Sequence, residues 1–237
     1  MFITFASMYT HLFFDLDHTL WDFDTNAHEA LHDLHNELQL AQYGITDIDN
    51  FITIYLAHNY RMWQQYNNNL LSADVLKWKR MYVTLQDFGI ESKPLAVKMS
   101  ELFLHILPNK KAVFAHTHQT LDYLLNKGYT LHLITNGFAA TQARKLQSSN
   151  LSHYFTHIIT SETVGHVKPQ KEIYDAALHL AQASITQSIM IGDNADADIG
   201  GAHKAGWHTV FVNHINATVP AVATYNVNSL LQLQALF

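Results

Sequence analysis

The 237-residue chain contains no cysteine. That excludes a disulfide framework, a thiolate metal site and a cysteine nucleophile, and is compatible with a reducing compartment. Charge is scarce: Asp, Glu, Lys and Arg make up 14%, against roughly 25% in an average globular chain. With 48% hydrophobic residues, so weakly charged a chain is neither a disordered tail nor a coiled coil. Nine glycines and four prolines are too few for a collagen-like or low-complexity segment. The net charge of −6 comes with no lysine/arginine block, so a nucleic-acid polymer is not an expected partner. No apolar run approaches the ~18–20 residues of a membrane span. Residues 1–9 are apolar but lack the basic lead and small-residue cleavage pattern of a signal peptide. Met8 is the expected native start, and a cytoplasmic monomer or homodimer the expected form.

What is present begins with five short apolar runs rich in β-branched and aromatic residues: 11–15 (HLFFD), 129–135 (YTLHLIT), 156–160 (THIIT), 188–193 (SIMIGD) and 208–213 (HTVFVN). They are almost continuously hydrophobic rather than alternating, as strands covered on both faces are. Helical spacing fills 138–147, 170–182 and 195–205, with Gly206 as a stop. Strand alternating with helix predicts an α/β fold, a Rossmann-like doubly wound parallel sheet. The leucine-rich tail 226–237 reads as a helix docking on it. The gap between the first two runs far exceeds the dozen or so residues a crossover needs. It reads as helices at 25–40, 47–66, 72–88 and 98–107, with Thr25 and Ser72 as start signals. The expected organisation is a core of 1–22 and 108–237 and an inserted α-helical cap domain of 23–107.

The chemistry gathers where strands end. In an open α/β sheet, ligands bind beyond the carboxyl ends of the strands, near the point where the strand order reverses. The first strand runs into Asp15-Leu16-Asp17-His18-Thr19, and the fourth into Gly192-Asp193-Asn194, with Asp196 and Asp198 beyond. Carboxylates gathered at one edge keep a proton or bind a cation, and an all-oxygen set suits Mg²⁺. The second strand ends in Thr135-Asn136-Gly137, a hydroxyl and backbone N–H groups that can cradle an anion. Lys168, in His166-Val167-Lys168-Pro169, opens a helix and becomes a candidate phosphate clamp beside such a cradle. Singly, each is an ordinary cap or turn; four in chain order at successive strand ends are not.

Those motifs resemble the haloacid dehalogenase superfamily. Asp15-Leu16-Asp17-His18-Thr19 is similar to its first motif, Thr135-Asn136 to the second, Lys168 to the third, and Gly192-Asp193 with Asp198 to the fourth, with the helical insert in the place of the superfamily's cap. Leu20-Trp21-Asp22-Phe23, Ile134-Thr135-Asn136-Gly137-Phe138 and Ser161-Glu162-Thr163-Val164-Gly165 further resemble the bacterial pyrimidine 5′-nucleotidase branch. The resemblance implies a Mg²⁺-dependent phosphomonoester hydrolase in which Asp15 is the nucleophile and Asp17 the acid and base. Asp15, the backbone carbonyl of Asp17 and Asp193 would hold the metal, with Asp198 and less directly Asp196 behind them. Thr135, Asn136 and Lys168 would bind the phosphoryl group, and the substrate would be a small phosphomonoester. An acid at Asp17 fits a phosphatase or phosphomutase rather than a dehalogenase.

Alternatives are a sugar-phosphate phosphatase, a phosphotransferase of the β-phosphoglucomutase kind and a non-catalytic binding protein. Of the residues that could touch substrate, Trp21 and Phe23, which follow the first motif directly, are the first candidates and Asn26 a weaker one. Most cap aromatics, Tyr55, Trp63, Trp78 and Phe88 among them, are expected in the cap's own core. His18 reads as a turn residue, His116 and His118 as a solvated pair, and the other histidines mostly as surface polar groups.

Overall fold

The computed structural model describes residues 8–237; the stretch before Met8, including the expected upstream segment, lies outside the described residues. The apolar runs form β1 (His11–Phe14), β2 (Thr130–Thr135), β3 (His157–Thr160), β4 (Ser188–Gly192) and β5 (His208–Val212). Between β1 and β2 lie α1 (Phe23–Glu37), α2 (Ile48–Asn67), α3 (Ala73–Asp87), α4 (Lys93–Ile106) and α5 (Thr117–Asn126). Later connections carry α6 (Ala139–Ser148), α7 (Ser161–Val164), α8 (Lys171–Ala181) and α9 (Gly201–Lys204). The tail differs from expectation: Tyr225–Val227 is a sixth strand, β6, before the short α10 (Leu233–Leu236). Val210, Phe211 and Val212 of β5 pair with it in parallel register, which satisfies an edge that a docked helix would have left open.

All six strands are parallel, in the order β3-β2-β1-β4-β5-β6, the doubly wound α/β arrangement. The order reverses between β1 and β4, which are hydrogen-bonded neighbours. The carboxyl ends of these two strands therefore lie side by side. Phe13, Ile134, Ile159 and Met190 pack with Ile173, Tyr174 and Ala177 of α8 and with Trp207 in a wholly buried cluster. Burying side chains of this size contributes about 1.5–3 kcal/mol each. Among the described residues no helix is long and apolar enough to cross a membrane.

The chain divides into two compact units, one running to Asp22 and resuming at Ala112–Phe237, the other Phe23–Lys111. The second break lies beyond the expected one at 108. The helical turn Leu107–Asn109 extends α4, and Lys110 pairs with Glu29 and Asp33 of α1. Within the helical unit, Ser72 caps α3 by accepting from the Val75 N–H. Ser92 caps α4 in the same way, with Pro94 in the first turn, where a missing N–H costs nothing. The α1 helix starts at Phe23, so Thr25 lies inside it and is not its cap. Phe51, Tyr55, Leu76, Met81, Leu85 and Phe103 are buried, giving this unit its own core. Arg80 is buried too, donating to Asn59 Oδ1 at 2.8 Å and the Leu76 carbonyl at 3.1 Å.

Candidate active site

The sheet delivers four polar segments to one place. The Asp15 N–H continues the ladder by donating to the Ile191 carbonyl at 2.9 Å, which fixes the Asp15 side chain beside the end of β4. Beyond it the chain turns tightly. His18 takes φ 64°, its N–H donates to the Trp21 carbonyl, and the Trp21 N–H returns to that of Leu16. Thr19 is buried inside this turn. Its hydroxyl donates to Asp193 Oδ1 at 2.8 Å and accepts from the Asp193 N–H at 3.0 Å. Motif one is thereby tied to motif four, a job for Thr19 that its place in the sequence did not reveal.

After β4, Asn194 caps a wide helical turn, Ala195–Gly200, by accepting from the N–H groups of Asp196 and Ala197. The turn brings Asp198 back beneath the strand end, where the Asn194 N–H donates to its Oδ2 at 3.0 Å. A Cβ on Gly192 would collide with the Asp198 carboxyl, so the glycine is required by close approach rather than by its dihedrals. Asp196 is exposed on the outside of the turn and takes no part in the cluster.

Asp15, Asp193 and Asp198 each present an oxygen within 4.8 Å of the others. Lys168 Nζ donates to Asp15 Oδ1 and Asp198 Oδ1, both at 2.6 Å, and to the Ile134 carbonyl at 2.8 Å. Three carboxylates facing one ammonium leave an excess of negative charge in a buried place. Burial pushes the Asp15 carboxyl well above the usual range, and the Asp198 and Asp193 charges add to that push against the pull of Lys168. Burial and the Asp198 charge raise Asp193 to about 7. Burial alone would lower the Lys168 ammonium, but Asp15 and Asp198 hold it above its ordinary value. An all-carboxylate donor set with surplus negative charge fits a hard divalent cation such as Mg²⁺.

Asp17 faces elsewhere. Lys145 Nζ donates to its Oδ1 at 2.6 Å and Gln142 Nε2 to its Oδ2 at 2.9 Å. Burial alone would raise Asp17; the Lys145 charge and these two hydrogen bonds outweigh it and hold the carboxyl below its ordinary value. Gln142 also donates to Thr135 Oγ1 at 2.7 Å, and the same hydroxyl accepts from the Gly137 N–H at 3.1 Å. Lys145 and Gln142 belong to no motif. The signal they leave in sequence is two polar residues three apart on a helix, facing inward, which only the folded register exposes.

Two expected contacts take another form. The Asn136 amide bridges to the backbone of Lys168, donating to its carbonyl and accepting from its N–H, both at 2.8 Å. Its side chain thus aims Lys168. Lys168 itself precedes α8, which starts at Lys171, and does not open that helix. Trp21 is fully buried, and its ring carries the Lys145 ammonium 4.4 Å from its centroid; it reaches the site through Lys145. His118 leans on the Tyr154 hydroxyl at 3.3 Å, while His116 sits in a left-handed turn before α5.

A profile of the haloacid dehalogenase-like hydrolases matches residues 12–212. The chain belongs to that family. It is an enzyme, a phosphatase of the haloacid dehalogenase superfamily. It is 31% identical over 93% of its length to the pyrimidine 5′-nucleotidase PynA of Streptococcus pneumoniae, covering 92% of that protein. It is 28% identical over 95% of its length to the pyrimidine 5′-nucleotidase YjjG of Escherichia coli, covering 96% of that protein. Among solved structures it resembles the HAD-hydrolase YfnB of Bacillus subtilis, a magnesium-bound structure, with a TM-score of 0.87 and 25% identity. That match covers 97% of this chain and 99% of the other.

Proposed function

We propose that this haloacid dehalogenase-like hydrolase is a Mg²⁺-dependent 5′-nucleotidase acting on pyrimidine nucleoside monophosphates through an aspartyl-phosphate on Asp15. The observation that carries the reading is the division of labour between two carboxylates two residues apart. Asp15 lies among the other acids and Lys168, and Asp17 is turned to Lys145 and Gln142. Similarity over nearly the whole length of two pyrimidine 5′-nucleotidases supports the substrate class.

Asp15, the Asp17 backbone carbonyl and Asp193 would hold the metal, with Asp198 supporting from behind. When bound, Mg²⁺ supplies positive charge that favours ionised Asp15 and offsets the charge of the phosphoryl oxygens. An Asp15 oxygen attacks phosphorus, forming an O–P bond as the bond to the nucleoside oxygen breaks. Asp17 delivers a proton to that leaving oxygen. In the free site Lys145 keeps Asp17 ionised; an arriving phosphate dianion raises its proton affinity. In the second half Asp17 takes a proton from water, whose oxygen attacks phosphorus and releases phosphate with Asp15 restored. Lys168, the Thr135 hydroxyl and Asn136 would stabilise the spread charge of the transferring group.

A phosphomonoester panel with Mg²⁺ or with EDTA tests this. UMP, dUMP and TMP should be turned over fastest, and EDTA should abolish turnover. Faster hydrolysis of glucose 6-phosphate or glyceraldehyde 3-phosphate than of any pyrimidine nucleotide would replace the nucleotide reading with a sugar-phosphate one. Activity indifferent to EDTA would remove the metal.

A further inference from the structure

The helical unit Phe23–Lys111 holds a cluster that the phosphatase chemistry does not use. His28 and His32 lie four apart on α1, hence on one face of the helix one turn apart. Their rings sit 4.6 Å apart between centroids. Asp49, in the first turn of α2, reaches both: its Oδ1 is 3.7 Å from His28 Nε2 and 3.8 Å from His32 Nε2. These separations are too long for hydrogen bonds, yet three donor atoms converge within 4.8 Å of one another. Ligands of a tetrahedral centre with bonds of about 2.0–2.1 Å stand roughly 3.3 Å apart, so small side-chain rotations close the gap. The selection is specific: His35, on the same helix, is already engaged with the Ile45 carbonyl at 2.8 Å.

We infer that His28, His32 and Asp49 form a second metal site, distinct in chemistry from the all-carboxylate one, which takes a borderline transition-metal ion such as Zn²⁺ and pins α1 to α2. Two imidazoles and one carboxylate suit Zn²⁺ and its neighbours, not Mg²⁺. The side chains are 51%, 38% and 81% exposed, so water has access to complete the coordination shell. The segment His28-Glu29-Ala30-Leu31-His32 has the histidine spacing found on zinc-hydrolase helices, where the glutamate serves as base. Here Glu29 faces Lys110 at 3.5 Å, and the inference stops at binding.

The test uses the full-length protein stripped of metal, with Mg²⁺ kept in excess, and ZnCl₂ added in competition with a chromophoric chelator. The wild type should bind one more equivalent of Zn²⁺ than a His28→Gln/His32→Gln variant, whose Mg²⁺-supported phosphatase activity should be unchanged and so reports a sound fold. Either single substitution, or Asp49→Asn, should weaken that equivalent at least about tenfold, the loss of one of three ligands. Zn²⁺ should shift the His28 and His32 ring-nitrogen resonances and raise the thermal midpoint of the wild type alone. Equal stoichiometry and affinity in wild type and double variant, or ring resonances unmoved by excess Zn²⁺, would overturn the assignment.

Discussion

Gly192 has the Asp198 carboxyl pressed against its Cα, and that carboxyl holds Lys168 beside Asp15. A single methyl group therefore travels three residues: Gly192→Ala displaces Asp198, which releases Lys168, which frees Asp15, the proposed nucleophile. We expect a loss of about 1–3 kcal/mol, the usual result of overpacking, together with near-complete loss of kcat; urea unfolding beside steady-state kinetics checks both. At Asp17 the decisive residue is Lys145. Lys145→Met removes the charge that overcomes burial, so the Asp17 carboxyl should titrate upward in ¹³C NMR. Turnover should fall about tenfold to a hundredfold, part of the ~10²–10⁴ that general acid–base catalysis supplies. An unchanged Asp17 titration would show that Gln142 alone sets its state. Asp15→Asn should abolish p-nitrophenyl phosphate hydrolysis while phosphate-analogue binding survives, as measured by calorimetry; near-normal turnover would refute covalent catalysis.

At the scale of elements, three neighbouring strands contribute a stack of imidazoles. His132 on β2 lies 5.3 Å from both the His11 ring of β1 and the His157 ring of β3, nearly parallel to each, and 4.5 Å from Phe13. Burial and the two neighbouring imidazoles push His132 down to about 3. The fold thus keeps this ring neutral where the unfolded chain accepts a proton below its ordinary value of 6.5. Its effect on stability is absent above that pH and grows as pH falls toward the folded value. With Mg²⁺ present, the urea midpoint of the wild type should drop on going from about pH 7 to pH 5, and His132→Leu should drop less; parallel slopes would exclude the stack as the cause. This buried ring also departs from the expected surface placing of the histidines.

The same elements show how far sequence reaches. The strands β1 to β5 are legible because short, nearly continuous apolar runs bounded by polar turns fit buried strands by length and composition. Three residues, Tyr225–Val227, are too few to show a period, and the leucines after them suggest a helix. The helix expected at 98–107 starts earlier, at Lys93, because Ser92 caps it and Pro94 fits its first turn. In the site, the acids and Lys168 announce themselves by motif. Lys145, Gln142 and the pairing of Asn136 with Lys168 depend on which helix turn faces which strand end, and no local pattern encodes that.

For the molecule as a whole, two titrations oppose one another. Asp193, raised to about 7, and Asp15, raised in the same direction, retain protons that the unfolded chain releases near 3.8. Their contribution to stability is complete below that value and is lost as pH rises to about 7, opposite in sign to that of His132. In EDTA the thermal midpoint should therefore vary little between about pH 5 and pH 7. With Mg²⁺, which favours the ionised acids, it should rise with pH, and the gap between the two curves should be widest near pH 7. Asp193→Asn should stabilise the EDTA form and narrow the gap. A gap equal at both pH values would exclude coupling between metal and proton.

The strand order has a consequence for how the chain is born. Among the described strands β1 comes first in the chain yet ends up in the middle of the sheet, and both strands that flank it follow all of Phe23–Lys111. The helical segment, rich in local contacts, can collapse on its own core while Asp15 waits without its later neighbours. A growing chain thus cannot gather the Asp15, Asp193 and Asp198 carboxylates at one place until the segment after β4 has been made.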